Sequence, residues 1–392
     1  MNTKVKHILF LARWYPHRYD PMFGLFIQRH AEAVALFNRV TVIYVHPDSK
    51  ANGRYELVHS KQTNLNEVRV YFKKHEGLPI FSKLINQWRF FSAIFKAVKL
   101  AESNAVFDLI HIHILTRLGV LGWFLAFQRK IPYLITEHWS RYLPVNKGFK
   151  GYFRKFASRF VVKRAAMVTT VTHDLMKAMQ SYNLMNNYYV VLPNVVDMKR
   201  FKPGEKIEQQ KPHFVHISCF EDKSKNLSGL LRTIARLKAH GNDIFVSLIG
   251  DGMDFEAIRS YANELQINDC VAFTGLLQGD ELAQKLAAAD ALVLFSNYEN
   301  MPVVILEALA CGIPVVATRV GGIPEMVDET NGILVPAGDE DALLKALITI
   351  SAAYPSYNSR ILRQMVEDRY GMEAVGLQLD KWYDEIIGSM AP

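Results

Sequence analysis

Short, continuous apolar runs alternate along this chain with longer stretches whose apolar residues recur at helical spacing. Residues 5–11 and 40–45 read as buried strands flanking a helix over 26–37, and 108–112 and 133–136 repeat the strand pattern between helical stretches. From about 194 to 212 the chain turns polar and carries prolines. The alternation then restarts, with strand runs at 214–217, 245–249, 271–273, 291–295 and 314–317. Two doubly wound α/β domains are predicted, 1–200 and 201–372. A final helix, about 373–387 within a C-terminal segment 373–392, is placed to cross back onto the first domain. Ligands of such folds lie beyond the carboxyl ends of the strands, so a cleft between two facing domains is the expected place for function.

At 392 residues, half of them apolar, the chain has material for two cores. Charge sharpens the division. Residues 1–200 carry 30 Lys and Arg against 11 Asp and Glu, a net of +19, whereas 201–392 carry 16 against 27, a net of −11. The first domain is expected to meet something anionic. Cys219, Cys270 and Cys311 show no CxxC spacing, which argues against a disulfide framework or a zinc knuckle and for a reducing cytoplasm. No signal peptide or apolar run of membrane-spanning length is evident.

The most informative stretch is Ala291-Leu-Val-Leu-Phe-Ser296, Asn297-Tyr-Glu-Asn-Met301, Pro302-Val-Val-Ile-Leu-Glu307-Ala-Leu-Ala-Cys311, Gly312-Ile-Pro314. It reads as strand, loop, helix, stop: Pro302 suits a first helical turn, and Gly312 with Pro314 ends the helix. A helix start there offers backbone N–H groups and the positive end of the helix dipole to an anion such as a diphosphate. Glu299 precedes that cradle and Glu307 lies within the helix, one carboxylate for a sugar and the other for ribose hydroxyls.

With Glu299 and Glu307 in this setting, followed by Gly312-Ile-Pro-Val-Val-Ala-Thr318, the chain resembles the family-four retaining glycosyltransferases of the GT-B fold. The resemblance extends through Pro193-Asn194, Lys225-Asn226, Gly250-Asp-Gly252, Phe273-Thr-Gly275 and Gly321-Gly322-Ile-Pro-Glu325, and in the first domain through Asp20-Pro-Met-Phe-Gly24 and Thr136-Glu137-His138. It implies two Rossmann-like domains facing a central cleft. It also implies sugar transfer with retention from a nucleotide sugar, UDP favoured over GDP, to a glycan or lipid-linked acceptor in cell-surface polysaccharide synthesis. Glu299, Lys225 and His138 are the implied catalytic residues. Glu307, Asn300, Met301, Val303, Gly275, Leu276, Gly250 and Asn194 are implied on the donor, with Gly24 and His113 on the acceptor side. No cofactor and no metal is expected, the nucleotide sugar being a substrate. The chain departs from the family pattern in two places: Cys219 stands where an arginine usually clamps the diphosphate, and Asn300-Met301-Pro302 replaces Gly-Phe-Gly, with a proline that donates no hydrogen bond.

Other motifs are weaker. His111-Ile-His113 places two rings on one strand face but lacks a third ligand at convincing spacing. Asp339-Glu-Asp341 precedes an apolar helical run and reads as a cap. Gly250-Asp-Gly252 lacks the third glycine of a dinucleotide fingerprint, Phe255 standing in its place.

Residues 141–164 contain eight Lys or Arg, no acid and six interleaved aromatics, and residues 78–101 are acid-free with Phe81, Leu84, Trp88 and Phe95 at helical spacing. Both are read as candidate contacts with an anionic membrane surface, against core packing as the alternative. A cytoplasmic protein, peripheral at the inner face of the plasma membrane, is the expectation. No nucleic-acid module accompanies these stretches. The competing readings are a GT-B-fold sugar-nucleotide epimerase and a non-catalytic sugar-nucleotide-binding scaffold.

Overall fold

The computed structural model describes residues 5–102, 106–146, 148–204 and 211–389. Part of the expected linker (205–210), the first four residues, residues 103–105, Lys147 and the last three residues lie outside the described residues. The chain divides into two compact units, one of Met1–Val171, Leu175–Val195 and Met372–Pro392, the other of Thr172–Asp174 and Val196–Gly371.

Through the first half run β1 (His7–Ala12), α1 (Leu25–Ala35), β2 (Arg39–Pro47), β3 (Tyr55–Lys61), β4 (Leu65–Phe72), α2 (Pro79–Glu102), β5 (Leu109–His113), α3 (Arg117–Arg129), β6 (Tyr133–Glu137), α4 (Tyr152–Arg164), β7 (Met167–Thr170), α5 (His173–Ser181) and β8 (Tyr189–Val191). The second half runs β9 (His213–Ile217), α6 (Asp222–Lys225), α7 (Leu227–Ala239), β10 (Phe245–Ile249), α8 (Phe255–Glu264), β11 (Val271–Gly275), α9 (Gly279–Ala287), β12 (Ala291–Leu294), α10 (Val303–Ala310), β13 (Val315–Thr318), β14 (Gly332–Val335), α11 (Glu340–Ala353), α12 (Ser359–Tyr370) and α13 (Met372–Gly388).

Among the described residues the first unit holds an eight-stranded sheet, in the order β3-β4-β2-β1-β5-β6-β7-β8. All its pairings are parallel except β3 with β4. The central strand β1, HILFLA, is buried beyond its first residue and has no polar face, as a parallel strand covered on both sides requires. The β3–β4 hairpin is absent from the sequence prediction because β3, YELVHSK, lies at the sheet edge, partly exposed, and alternates weakly.

The helix α13 belongs to this first unit. It buries Val375, Leu379, Tyr383 and Ile386 along one stripe, and its backbone touches α1: a Cβ on Gly376 would lie 2.3 Å from the Ala33 carbonyl oxygen. Lys6 before β1 pairs with Asp380 at 2.8 Å and Asp384 at 2.6 Å on the same helix.

The second unit holds a six-stranded, all-parallel sheet in the order β11-β10-β9-β12-β13-β14. Numbered within the unit this is 3-2-1-4-5-6, the doubly wound arrangement whose strand order reverses between the first and fourth strands. That switch point falls between β9 and β12, which pair through Ala291 with Phe214 and Leu292 with Val215.

Candidate functional site

At the carboxyl end of β9 the chain passes through Ser218, Cys219 and Phe220 into the short helix α6, which ends on Lys225. At the carboxyl end of β12 it passes through Phe295 and Ser296 to Glu299 and on to α10. The two loops meet at the switch point. Lys225 Nζ donates to Glu299 Oε1 at 2.5 Å, and the Ser296 hydroxyl donates to the same oxygen at 2.8 Å. Backbone ties fix the approach: Asn297 N–H donates to the Ser224 carbonyl at 2.8 Å, and its side-chain amide to the Lys223 carbonyl at 3.1 Å. The Thr318 hydroxyl donates to the Ser296 carbonyl at 2.6 Å.

Burial disfavours the Lys225 ammonium, but the Glu299 carboxylate outweighs it and holds the lysine above its ordinary pKa. Nearby His216 is pushed down to about 4, first by complete burial and further by the Lys225 charge, although its bond to Val293 opposes this. Its Nδ1–H donates to the Val293 carbonyl at 2.9 Å and its Nε2 accepts from the Ser218 hydroxyl at 2.7 Å. The ring is thus a neutral strut beneath the loop.

Glycines shape the rest. Gly321, at φ +52°, packs so closely on the Glu299 loop that a Cβ would sit 2.0 Å from the Glu299 carbonyl oxygen, and Gly322 N–H donates to the Asn300 carbonyl at 2.9 Å. Gly250, at φ +139°, would drive a Cβ to 1.9 Å from the Ser218 carbonyl oxygen, and its N–H donates to the Gly275 carbonyl at 2.9 Å.

Pro302 sits one place outside the helix, at the N-cap with ψ 110°, so the first turn expected to contain it begins at Val303 instead. Asn300, Met301 and Val303 therefore line the entry to α10, and Glu307 lies buried within that helix. The Glu307 charge joins burial in raising the Cys311 thiol to about 12, which leaves Cys311 a protonated packing residue. Leu276 is exposed just past Gly275. Cys219 is exposed at the end of β9, and Lys223 is exposed on α6.

The remaining candidates lie in the first unit. His138 is buried, hydrogen-bonded to Asn194, with Nε2 3.2 Å from His113 Nδ1. His113 stacks on His111 at 4.1 Å between centroids, and His111 is held by the Tyr383 hydroxyl at 2.8 Å and the Thr136 hydroxyl at 2.6 Å. This is a packed histidine cluster; among the described residues no group of three His, Cys, Asp or Glu is arranged to hold a metal ion. Gly24, at φ +70°, lies against Trp14, where a Cβ would come within 2.4 Å of the backbone. The Asp339 side chain accepts from Ala342 N–H as the cap of α11, while Glu340 and Asp341 pair with Arg232 and Arg236. Sequence reasoning missed Ser296, whose role depends on a bond to Glu299 three residues on, and Glu137, described below.

Comparison with known proteins decides the family. A model of "Glycosyltransferase Family 4" matches residues 27–200, and one of "Glycosyl transferases group 1" matches 211–352. The chain belongs to these two glycosyltransferase families, one in each half. It is 28% identical over 241 residues to the N-acetyl-alpha-D-glucosaminyl L-malate synthase of Bacillus anthracis, a match covering 58% of this chain and 62% of that protein. Among solved structures, sucrose-phosphate synthase from Thermosynechococcus elongatus superposes with a TM-score of 0.79 at 21% identity, covering 98% of this chain and all of that one. Anabaena Alr3699/HepE, solved in complex with UDP, superposes with a TM-score of 0.70 at 18% identity, covering 97% of this chain and all of that one. The fold of this glycosyltransferase is thus GT-B, two parallel-sheet α/β units.

Proposed function

We propose that this glycosyltransferase moves a sugar from a UDP-sugar to a glycan or lipid-linked acceptor of cell-surface polysaccharide synthesis, with retention of configuration and without a metal or other cofactor. The observation that carries this reading is the Lys225–Glu299 pair, placed at the switch point of the second unit beside the N-terminus of α10. A diphosphate drawn to that helix start meets the Lys225 ammonium, which exchanges its carboxylate partner for the leaving group as the anomeric bond breaks. Glu299, released from the lysine, accepts hydrogen bonds from sugar hydroxyls, and Glu307 accepts from the ribose. The acceptor oxygen bonds to the anomeric carbon on the face the diphosphate leaves, and the acceptor's proton passes to the departing phosphate oxygen. No enzyme-bound glycosyl intermediate is invoked, in contrast to retaining glycosidases. His138, with Asn194 as its hydrogen-bond partner, is assigned to the acceptor side. The UDP-bound relative of the same fold supports the choice of base.

We assign the first unit to the inner face of an anionic membrane. The first half of α2 exposes Ile80, Phe81, Leu84 and Trp88, whereas its second half is packed through Phe90, Ile94, Ala97 and Val98. On α4, Tyr152, Phe153 and Phe156 are exposed, while Tyr142 and Phe149 of the same basic stretch are core. The two alternatives weighed for these stretches thus divide within each. Among the described residues no helix is long and apolar enough to cross a membrane.

The test is incubation with UDP- and GDP-sugars and a membrane lipid extract, with the product's anomeric configuration read by NMR. Retained configuration and acceptor-dependent UDP release support the reading. Isomerised sugar without a glycoside favours the epimerase; nucleotide binding without release favours the scaffold, a reading kept in play by Cys219 in the place of a phosphate-binding arginine.

A further inference from the structure

The first unit has a switch point of its own. In its sheet β1 lies between β2 and β5, so strand order reverses between β1 and β5, at the carboxyl ends Ala12 and His113. Immediately beyond those ends, and beyond β6, come Arg13, Arg117 and Arg141, and all three line one cavity of about 740 Å³ contained within this unit. Crevices at such points are where open α/β sheets bind ligands, and this volume suits a small molecule.

The charge in the cavity is one-sided. Lys74, Lys83 and Arg154 also line it, and no Asp or Glu does. Among the described residues, none of the three arginines has a carboxylate within ion-pair distance. Aromatic rings hold two of them instead: the Arg141 guanidinium lies 3.4 Å from the Trp139 ring centroid and that of Arg117 lies 4.5 Å from Phe90. Stacking occupies the face of a guanidinium and leaves its N–H edge for a planar or tetrahedral oxyanion. Arg141 Nε is buried without a hydrogen-bond partner. Burial pushes Arg13 and Arg117 below the ordinary arginine range, and the charge of Arg141 on the first and Arg13 on the second adds to it. Glu137, behind the wall and within electrostatic reach of Arg141, offsets part of this crowding of like charges, and an oxyanion at the N–H edges relieves the rest.

The walls are held rigidly. Buried Glu137 accepts from the backbone N–H of Leu115 at 2.8 Å and from those of His138 and Trp139, each at 2.9 Å, which fixes the loop before α3 against the loop after β6. The opening is apolar on one side: Phe153, a lining residue, is 85% exposed and continues into the exposed faces of α4 and of the first half of α2.

We propose that this cavity is the acceptor subsite and takes a phosphate- or diphosphate-bearing amphiphile, its anion among Arg13, Arg117 and Arg141 and its hydrocarbon toward Phe153 and α2. The assignment rests on the transferase reading above for the word acceptor, but its ligand chemistry is independent of it. The test is calorimetric titration of the whole protein, saturated with UDP to occupy the donor site, with farnesyl diphosphate, inorganic pyrophosphate and farnesol as probes. Farnesyl diphosphate is expected to bind saturably, pyrophosphate to compete more weakly and farnesol not to compete. Arg117→Gln, Arg141→Gln and the rim variant Lys83→Gln should each weaken farnesyl diphosphate, the two arginine changes by roughly tenfold, the order expected for one charge-assisted hydrogen bond. Unchanged near-ultraviolet circular dichroism would show the fold intact, and Lys83→Gln, exposed at the rim, keeps the test open if an arginine variant fails to fold. Affinity within about twofold of wild type in all three variants would overturn the site. Pyrophosphate binding as tightly as farnesyl diphosphate would overturn the amphiphile and leave a free phosphate ligand. Failure of the donor reading is distinct: UDP would not bind the wild type, while the farnesyl diphosphate titration would be unaffected.

Discussion

Lys225 Nζ lies 2.5 Å from Glu299 Oε1, so the end of α6 and the loop after β12 are joined across the point where strand order reverses. Both partners are largely removed from solvent, at 15% and 9% side-chain exposure, and each is the other's main compensation for burial. Lys225→Met is expected to lower kcat/KM by about a hundredfold, the order lost with one group that stabilises a developing anion. Lys225→Arg should recover part of it. Nucleotide release under steady-state conditions gives the comparison; a loss of less than about threefold in Lys225→Met would remove the lysine from the reaction.

Gly321 bears on the same carboxylate through the backbone. Gly321→Ala is expected to cost about 1–3 kcal/mol of stability and to reduce activity by displacing the Glu299 carbonyl. Gly338→Ala is the control, since Gly338 also has positive φ, +72°, but nothing within 4 Å of a Cβ. Denaturant unfolding should show Gly321→Ala as the more destabilised; equal losses would mean that φ alone, and not the contact with Glu299, sets the effect.

The histidine cluster of the first unit predicts acid sensitivity. Burial pushes His30, His111, His113 and His138 below the ordinary imidazole range, and their mutual proximity adds to this for all but His30. A histidine whose folded pKa is depressed binds its proton more readily in the unfolded chain. Stability therefore rises with pH across this window and is lost as pH falls below about 6.5, the unfolded value. Thermal melts from pH 8 to pH 5 should show Tm falling from about pH 6.5 downward, and His113→Gln should flatten the slope. A Tm independent of pH in wild type would contradict the burial of the cluster.

Much of the second unit could be read from the chain because its information is local. Strand, loop, helix and stop from Ala291 to Pro314 lie in one continuous stretch, and its boundaries moved by a single residue, the strand ending at Leu294 and the helix beginning at Val303. The first unit was less readable. Glu137 acts through three amides on two separate loops, the four histidines come from three different segments, and Arg13, Arg117 and Arg141 follow three different strands. Pattern within a window does not encode such convergence. The stripe of α2 gave an ambiguous answer for a physical reason, since one end of that helix is core and the other exposed.

Membrane attachment makes its own prediction. Phe153→Ser with Phe156→Ser removes exposed apolar surface from α4 without touching its core residues Ser158, Val161 and Val162. Co-sedimentation with anionic vesicles at low salt should fall sharply in this double variant, and should fall in wild type as salt rises, since each cation near the surface contributes roughly 1 kcal/mol of screened attraction. Wild-type protein that remains in the supernatant at low salt would contradict the assignment.

The central claim is that the second unit binds a nucleotide sugar through the residues at its switch point and spends that binding on transfer. Acceptor-dependent UDP release by Glu307→Ala, measured beside wild type with a UDP-sugar and a membrane lipid extract, tests it most directly. The account predicts release by wild type and its loss in Glu307→Ala; full activity in the variant would contradict the donor site described here.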